Sequence, residues 1–168
     1  MMAVTPLDEI SVTSLTKKCK INRQSFYYHF HDIYDLLTLV FLDESIPGIE
    51  ETESIAELTK AIYNYCNKNM AFISATLNSA AKDLLNEFLY NACYQTLMRF
   101  ITKKTVNIKI NNNMKKSIAR FYSLGIAYSI IFYLSTHKTK SYESMVSTFS
   151  FIGDADLDAA IQKVAKEG

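Results

Sequence analysis

A cluster of polar and aromatic side chains in one short stretch of the chain is suited to contacts with nucleic acid. Arg23 has the geometry to donate two hydrogen bonds to guanine O6 and N7, and Gln24 pairs in the same way with adenine N6 and N7. Ser25 and the tyrosine hydroxyls are neutral donors that suit phosphate oxygens. These side chains fit a recognition helix that presents its first turns to DNA. The candidate residues are Arg23, Gln24, Ser25, Tyr27, Tyr28 and His29.

Two helices and a tight turn are needed to position this cluster. Ser11 is the predicted N-cap of the first helix, because its hydroxyl can accept a free backbone N–H. Ile21 follows the break and is predicted to fill the core. Asn22 is the predicted cap of a second helix over residues 23–30, and Asp32 is the predicted cap of a third. This order of elements is that of a helix-turn-helix module.

The residues around the cluster support the same interpretation. Residues 11–31 carry four basic residues and no acidic one, which gives positive potential for a phosphate backbone. Thr13 belongs to the preceding helix, at a position near the groove edge. Phe26 and Phe30, at i and i+4, face the other way and are predicted to hold the helix on its scaffold. The ordinary alternative is that the aromatic residues are core and the lysines are a solvated face. The basic residues are Lys17, Lys18, Lys20 and Arg23.

The rest of the chain has the composition of a helical protein. Of its 168 residues 49% are apolar, which is enough for a hydrophobic core. The chain has only four Gly and two Pro, too few for the many tight turns of a fold with many strands. Apolar residues recur at helical spacing in several further segments. We therefore predict an all-α protein with a helix-turn-helix DNA-binding domain over residues 1–47 and a C-terminal helical dimerisation and effector domain over 48–168. The further segments are residues 54–77, 80–102, 114–136, 142–152 and 157–166.

Two stretches of the C-terminal region have specific predicted roles. The acidic stretch that follows Pro47-Gly48 is predicted to form a linker, and residues 43–57 carry six acids and no base. Residues 114–136 are apolar on nearly all sides, and a helix without a polar face must be buried all round. In a chain this small, a second subunit is the predicted cover. The most hydrophobic part, residues 121–134, is too short to span a bilayer.

Other classes of site find little support in the sequence. His29, His31 and His137 form no cluster with cysteines or acids, so we expect no metal and no cofactor. The sequence has neither a Gly-rich phosphate loop nor a Ser-His-Asp order, and we expect no enzyme activity. The N-terminus has no apolar signal region, so the expected location is the cytoplasm. The cysteines, which are predicted to be free buried thiols in that reducing compartment, are Cys19, Cys66 and Cys93.

Several aromatic residues in the longer helical segments leave two interpretations open. They line an effector pocket, or they serve core and dimer packing, which is the commoner role of such residues. The residues concerned are Tyr63, Phe72, Phe88, Tyr90, Tyr94, Phe121 and Tyr128.

The order of residues 10–37 resembles the DNA-binding signature of the TetR family of transcriptional regulators. Its most distinctive part is the block Tyr27-Tyr28-His29-Phe30, followed by Asp32 and then Asp35-Leu36-Leu37. Within the family, the run Arg-Gln-Ser-Phe-Tyr-Tyr-His-Phe is similar to the subgroup that regulates dihydroxyacetone-kinase operons. The resemblance implies an all-α homodimer in which Thr13 and the cluster on the second helix face DNA.

The sequence departs from the family pattern at three places. Nine residues precede Ile10, so we expect the first helix of the family to be missing or truncated. Four side chains are then expected to lose part of their cover, namely Val12, Leu15, Phe26 and Phe30. The family usually has Gly where Lys20 stands, and a left-handed backbone there costs a lysine about 1 kcal/mol. Ile33 stands where the family often has a lysine that contacts phosphate.

These observations lead to one expected function and one alternative. We expect a TetR-like regulator that binds a pseudo-palindromic operator as a homodimer. Its expected partner is double-stranded DNA, with a small-molecule effector or a protein co-regulator as further candidates, and with no membrane. The alternative is a dimerisation or ligand-binding module that has lost autonomous DNA binding through loss of the first helix.

Overall fold

The computed structural model of the chain describes residues 1–2, 4–136, 141–149 and 153–167. All regular structure in these ranges is helical, which confirms the predicted all-α class. His137 and the predicted end of the helix over 142–152 lie outside the described residues. The elements are a 3-10 turn Leu7–Glu9, α1 Val12–Cys19, α2 Arg23–His29, α3 Ile33–Asp43, α4 Ile55–Lys68, α5 Met70–Leu77, α6 Lys82–Lys104, α7 Asn112–Thr136, α8 Tyr142–Phe149 and α9 Asp154–Glu167.

Packing divides the chain into two compact units. Unit 1 comprises Met1–Ser45 and Cys66–Phe88, and unit 2 comprises Ile46–Tyr65 and Leu89–Gly168. In unit 1 the ring of Phe41 lies 5.5 Å from that of Phe72 and 5.4 Å from that of Phe88, measured between centroids. In unit 2 the core is built largely from α6 and α7. Its fully buried side chains include Leu97, Ile101, Ile130, Tyr133 and Leu157.

Side-chain caps begin each of the first three α-helices at the predicted residues. The Ser11 hydroxyl accepts the Ser14 N–H at 3.1 Å, and the Ser14 hydroxyl in turn accepts the Ser11 N–H. The Asn22 side chain accepts the backbone N–H of the residue two positions on, at 2.9 Å. The Asp32 carboxylate accepts two backbone N–H groups at the start of α3. Each cap satisfies donors that have no partner within their own helix.

The turn between α1 and α2 has a left-handed backbone at Lys20, where φ is +56°. The Ile21 N–H donates to the Thr16 carbonyl at 3.0 Å and closes the end of α1. The prediction that Ile21 fills the core is wrong, because its side chain is 49% exposed. Thr16 lies inside instead, and its hydroxyl is satisfied by the Val12 carbonyl at 2.8 Å.

A glycine at position 20 is expected to stabilise the protein. Lys20→Gly removes a Cβ that clashes with its own carbonyl in the left-handed region, so the free energy of unfolding should rise by about 1 kcal/mol. Urea denaturation measures the change. The matched control is Lys17→Gly inside α1, which should lower the free energy of unfolding by about 1 kcal/mol. A loss of stability in Lys20→Gly would show that the lysine side chain contributes more than the strain costs.

The predicted single helix over residues 54–77 is two helices. The backbone leaves helical geometry at Asn69, with φ −104° and ψ +25°, and α5 starts at the next residue. The Asn69 carbonyl already accepts the Ile73 N–H, so the second helix resumes at once. Asn67 and Asn69 are weak helix formers and indicate a break in the helix. The prediction of one helix is wrong because the apolar residues keep their helical spacing across this break.

The acidic stretch predicted to be a linker is anchored to unit 2. The side chains of Ile46, Ile49 and Thr52 are buried, while the acidic residues among them face solvent. The Arg99 guanidinium donates to the Thr52 carbonyl at 2.8 Å and to the Ile49 carbonyl at 3.2 Å. The charge run therefore marks the outer side of a packed segment rather than a free connection.

Helix α7 has an inner face that is buried within the chain and an outer face that is not. Its inner face includes Ile126, Ile130 and Leu134. Within the described residues, α7 is the helix that is long and apolar enough to cross a membrane, and half of its most apolar window is buried inside the protein. A soluble core helix meets the same criteria, so this feature is weak evidence for a membrane span. Its exposed apolar side chains are Met114, Phe121, Leu124, Tyr128 and Phe132.

The three thiols differ in environment. Cys66 and Cys93 are buried, as predicted, and burial raises the pKa of the Cys66 thiol to about 12. The prediction is wrong for Cys19, which is exposed in the last turn of α1. Cys19 lies one turn after Leu15, at the end of α1, where its side chain is left uncovered.

Candidate nucleic-acid interface

Helix α2 turns its polar residues outward. Every member of the predicted cluster on this helix is exposed, with Tyr28 the most exposed aromatic ring at 85%. At roughly 100° per residue, Gln24 and Tyr28 lie opposite Phe26, and Ser25 lies beside them on the side of His29. Arg23 with Tyr27 lies on one flank of that face, and His29 lies on the other. The arrangement gives a strip of donors and acceptors about two turns long.

Ring contacts order the side chains along this strip. The Arg23 guanidinium carbon lies 6.0 Å from the centroid of the Tyr27 ring, at the outer limit of a cation–π contact. The rings of Tyr28 and His29 stand nearly perpendicular, with their centroids 4.9 Å apart. These neighbours restrict rotamers without using up the hydrogen-bonding groups, which therefore stay available to a partner.

The opposite face of α2 is attached to the core of unit 1. The expected loss of cover is wrong for Phe26, which is only 3% exposed because it is packed into unit 1. Its ring lies 5.4 Å from that of Phe30. The two aromatic residues thus behave as the i, i+4 spacing predicts. The interpretation of Tyr27 and Tyr28 as core residues does not fit, because both rings are at least half exposed.

Helix α1 adds a hydroxyl and a set of cations. Thr13 is exposed in its first turn, and the basic residues that follow are exposed at its end. None of them forms an ion pair with a described residue, so their positive potential is uncompensated by close carboxylates. Such potential attracts the phosphate backbone of nucleic acid. The cations are Lys17 and Lys18 of α1, Lys20 of the turn after it and Arg23 at the start of α2.

Side-chain hydrogen bonds fix the segments that flank the strip. Asp35 accepts the His31 backbone N–H at 3.0 Å and lies 3.2 Å from the ring Nδ1 of the same histidine. These bonds hold the pKa of the Asp35 carboxyl below its ordinary value. The Tyr34 hydroxyl donates to the Asp8 carboxylate, which raises the pKa of Tyr34 and ties the 3-10 turn to α3.

Side chains of α1, α3 and α5 and of the segment before α1 line a cleft in unit 1. The residues described before α1 contain one short element, the 3-10 turn. The cleft has a volume of about 620 Å³, and we call it the α1–α3 cleft. Ile33, which replaces a phosphate-contacting lysine of the family, is part of its wall. The cleft was not predicted, because its lining comes from several elements and no pattern within one of them indicates a space between them. Its wall includes Leu15, Ile33, Leu36, Leu37, Val40 and Phe72.

A second, smaller cavity of about 250 Å³ lies within unit 2. Two of its polar groups are already engaged, since the Tyr142 hydroxyl donates to the Ala56 carbonyl at 3.2 Å and Asp154 accepts the Ile55 N–H at 3.1 Å. Burial raises the pKa of Tyr142. Of the seven aromatic residues considered for an effector pocket, none lines this cavity, and Phe72 lines the α1–α3 cleft instead. Within the described ranges, no three His, Cys, Asp or Glu side chains are grouped to hold a metal ion.

An all-helical chain that carries a helix-turn-helix with an outward polar strip belongs to the class of helical DNA-binding regulators. A TetR family model described as "Transcriptional regulator C-terminal region" matches residues 53–152. The chain therefore belongs to the TetR family of transcriptional regulators.

Among solved structures, the chain is similar in fold to the "Dihydroxyacetone kinase operon activator DhaS". The TM-score is 0.63 at 19% sequence identity, and the match covers 97% of this chain and 90% of that chain. A comparison with curated protein sequences finds no match.

Proposed function

We propose that this TetR family member binds a pseudo-palindromic operator in double-stranded DNA as a homodimer, in the cytoplasm and without enzyme activity. The observation that carries the proposal is the outward strip on α2, held by a buried Phe26 and flanked by unpaired cations. Residues 1–47 would read DNA, and residues 48–168 would dimerise and receive an effector. The proposed DNA contacts are Thr13, Arg23, Gln24, Ser25, Tyr27, Tyr28 and His29.

Each contact has a role set by its chemistry and place. Arg23 reads guanine and Gln24 reads adenine, because their side chains offer the matching pairs of hydrogen-bonding groups. Ser25 and the tyrosine hydroxyls bind phosphate oxygens and fix the register of the helix on the duplex. Thr13 approaches the groove edge from α1. One helix-turn-helix makes few contacts with DNA, and a second copy doubles their number. Because the two copies are related by twofold symmetry, the operator they bind is expected to be pseudo-palindromic.

The outer face of α7 supports the homodimer. Phe121, Leu124, Tyr128 and Phe132 follow one another at spacings of three and four residues and therefore share one face of the helix. Gly125 lies between them, and a Cβ added there would meet nothing within 4 Å. Because Gly125 has no side chain, a second helix can approach the backbone closely there while it packs against the large apolar side chains around it. A second copy of α7 is a self-complementary cover for this face.

Arg23→Ala is expected to reduce discrimination between operators. The variant loses a bidentate base contact, which is worth about 1–3 kcal/mol against the wrong base, or roughly 5- to 150-fold. Lys17→Ala is the control, because loss of one phosphate contact weakens all duplexes alike and lowers the salt slope by about 1. Fluorescence anisotropy with a duplex selected in vitro, its point mutants and random DNA measures both effects. If no selected duplex binds more tightly than random DNA at moderate salt, the proposed function is wrong.

The alternative function is favoured by the α1–α3 cleft. Apolar side chains of α1 and α3 line a space of about 620 Å³, and exposed apolar surface weakens a small DNA-binding domain. A dimer that binds no DNA would then act through a protein co-regulator or in mixed dimers. Dimerisation in sedimentation experiments without any gel shift supports this function, and a stable monomer contradicts both functions.

The cavity in unit 2 is the proposed place of a small-molecule effector. Its volume of about 250 Å³ suits a compact molecule rather than a drug-sized one. The similarity in fold to a dihydroxyacetone kinase operon activator makes such an operon the first promoter to test. An effector that fits this cavity should change operator affinity and should raise the melting temperature of the protein.

A further inference from the structure

The cavity in unit 2 is enclosed by aliphatic side chains from three helices. Ile55 comes from α4, Ile126 and Ile130 come from α7. Met145 comes from α8, and each of the four side chains is at most 5% exposed. A dry cavity of about 150 Å³ with an apolar lining holds benzene. At about 250 Å³, this cavity therefore has room for a ring with a short chain, about ten heavy atoms in all.

The polar side chains of the lining gather at the first turn of α4. Asp154 Oδ1 accepts the Ile55 N–H at 3.1 Å, and the Thr59 hydroxyl donates to the Ile55 carbonyl at 2.8 Å. The Tyr142 hydroxyl donates to a backbone carbonyl of the same turn at 3.2 Å. Ser129 contributes a further hydroxyl. Because the O–H groups of Thr59 and Tyr142 are already used, the side chains offer a ligand more acceptors than donors.

Asp154 gives the cavity a negative charge. Its second carboxylate oxygen, Oδ2, forms neither a hydrogen bond nor an ion pair with a described residue. The N-terminus of α4 carries only about half a positive charge, so it does not neutralise the carboxylate. Burial and the neighbouring Glu143 carboxylate both raise the pKa of Tyr142, so a second negative charge acts on the same end of the cavity.

The described residues of the lining include no Lys, Arg or His. The field inside the cavity therefore comes from carboxylates. An organic cation is attracted by this field, whereas an organic anion is repelled.

We propose that this cavity binds a compact primary amine in its ammonium form, with the apolar body among the aliphatic side chains and the ammonium group at Asp154 Oδ2. The assignment rests on the proposed function, in which the cavity receives an effector, and it names the class of that effector. An ammonium group has three donors and no acceptor, which matches a lining rich in acceptors. The Thr59 hydroxyl oxygen is available to accept a second N–H. A hydrogen bond between charged groups is about twice as strong as a neutral one, so charge selects among molecules of the same shape.

Isothermal titration calorimetry on the full chain at pH 7 tests the charge of the ligand. The probe is 2-phenylethylamine, which carries an ammonium group on a short chain and a single ring. The neutral 2-phenylethanol has the same shape and should bind about tenfold more weakly or worse. Phenylacetate is an anion of similar size and should not bind. The amine should also raise the melting temperature of the protein.

Asp154→Asn should lower the affinity for 2-phenylethylamine about tenfold or more, because the charge is lost. The asparagine keeps an oxygen that can accept the Ile55 N–H, so α4 keeps its cap. Circular dichroism verifies the fold, and unchanged affinity for 2-phenylethanol verifies that the cavity is intact.

Asp156→Asn is the matched control. Asp156 lies in the same first turn of α9, and its Oδ2 accepts the Gly153 N–H at 2.9 Å. It is exposed and does not belong to the lining. The control removes the same charge, but solvent and salt screen an exposed carboxylate, so amine affinity should change less than about threefold.

Several results would overturn the proposal. Absence of amine binding, or equal affinity for the amine and the alcohol, would show that the carboxylate does not select the ligand. Binding of phenylacetate would assign the cavity to an anion. Unchanged amine affinity in a folded Asp154→Asn variant would place the amine elsewhere. None of these titrations contains DNA, so their failure leaves the proposed operator binding untouched, whereas the proposed function fails in the separate experiment on selected duplexes.

Discussion

Aspartate at both Phe121 and Phe132 is expected to convert the proposed dimer into a monomer. The two rings are 75% and 61% exposed in one copy, and they lie eleven residues apart, three turns along the same face of α7. Burying a phenylalanine stabilises an interface by about 1.5–3 kcal/mol, and twofold symmetry brings four such rings together. Their replacement by charges should raise the dimer dissociation constant by about four orders of magnitude or more. Sedimentation equilibrium measures the change.

Loss of the dimer should carry operator binding with it. A monomer contacts one half-site, so the Phe121→Asp/Phe132→Asp variant should bind a full operator no better than a half-operator. Val106→Asp is the matched control, because Val106 is equally exposed, at 76%, but lies in the loop before α7. If the double variant remains a dimer while folded by circular dichroism, the outer face of α7 is not the interface.

Phe26→Ala should unfold the DNA-binding region at temperatures where the normal protein is stable. Phe26 is 3% exposed and holds α2, a helix of only seven residues that is too short to persist alone in water. Removal of a buried phenylalanine costs about 3–5 kcal/mol, a large part of the 5–15 kcal/mol that stabilises a typical domain. The urea midpoint should fall, and DNA binding should be lost with it.

Tyr28→Ala separates the fold of α2 from its chemistry. Tyr28 lies on the opposite side of the same helix and is 85% exposed, so its removal should change the free energy of unfolding by no more than about 0.5 kcal/mol. Operator affinity should nevertheless fall, since the proposed phosphate contact is lost. A stable Phe26→Ala variant that still binds DNA would contradict the assignment of Phe26 as the attachment of α2.

The DNA-binding elements could be predicted because their signals are local. Ser11, Asn22 and Asp32 satisfy backbone donors two or three residues away, so their meaning does not depend on distant packing. The left-handed turn at Lys20 was expected from the family pattern, and its φ of +56° confirms it. The identity of the DNA-contacting residues stays a prediction that only binding measurements test.

Features that depend on partners distant in sequence were missed or wrong. The acidic stretch is anchored because Arg99, far along the chain, donates to the carbonyls of Ile49 and Thr52. Ile21 is 49% exposed while Thr16 is buried, the reverse of what their polarity indicates. The α1–α3 cleft combines residues of α1, α3 and α5, and no periodicity within one helix reveals an empty volume between three. Composition and spacing therefore predict which helices form better than they predict what surrounds them.

The capped starts of α1, α2 and α3 have a consequence for the speed of folding. The capping hydrogen bonds join residues two or three positions apart. The hydrogen bonds that close the turn after α1 join residues at most five positions apart. Modules dominated by such local contacts fold in microseconds to milliseconds, because little loop-closure entropy opposes them. Specific complexes last from milliseconds to days. We therefore expect a helix-turn-helix that opens briefly on one half-site to re-form before the other half-site is released.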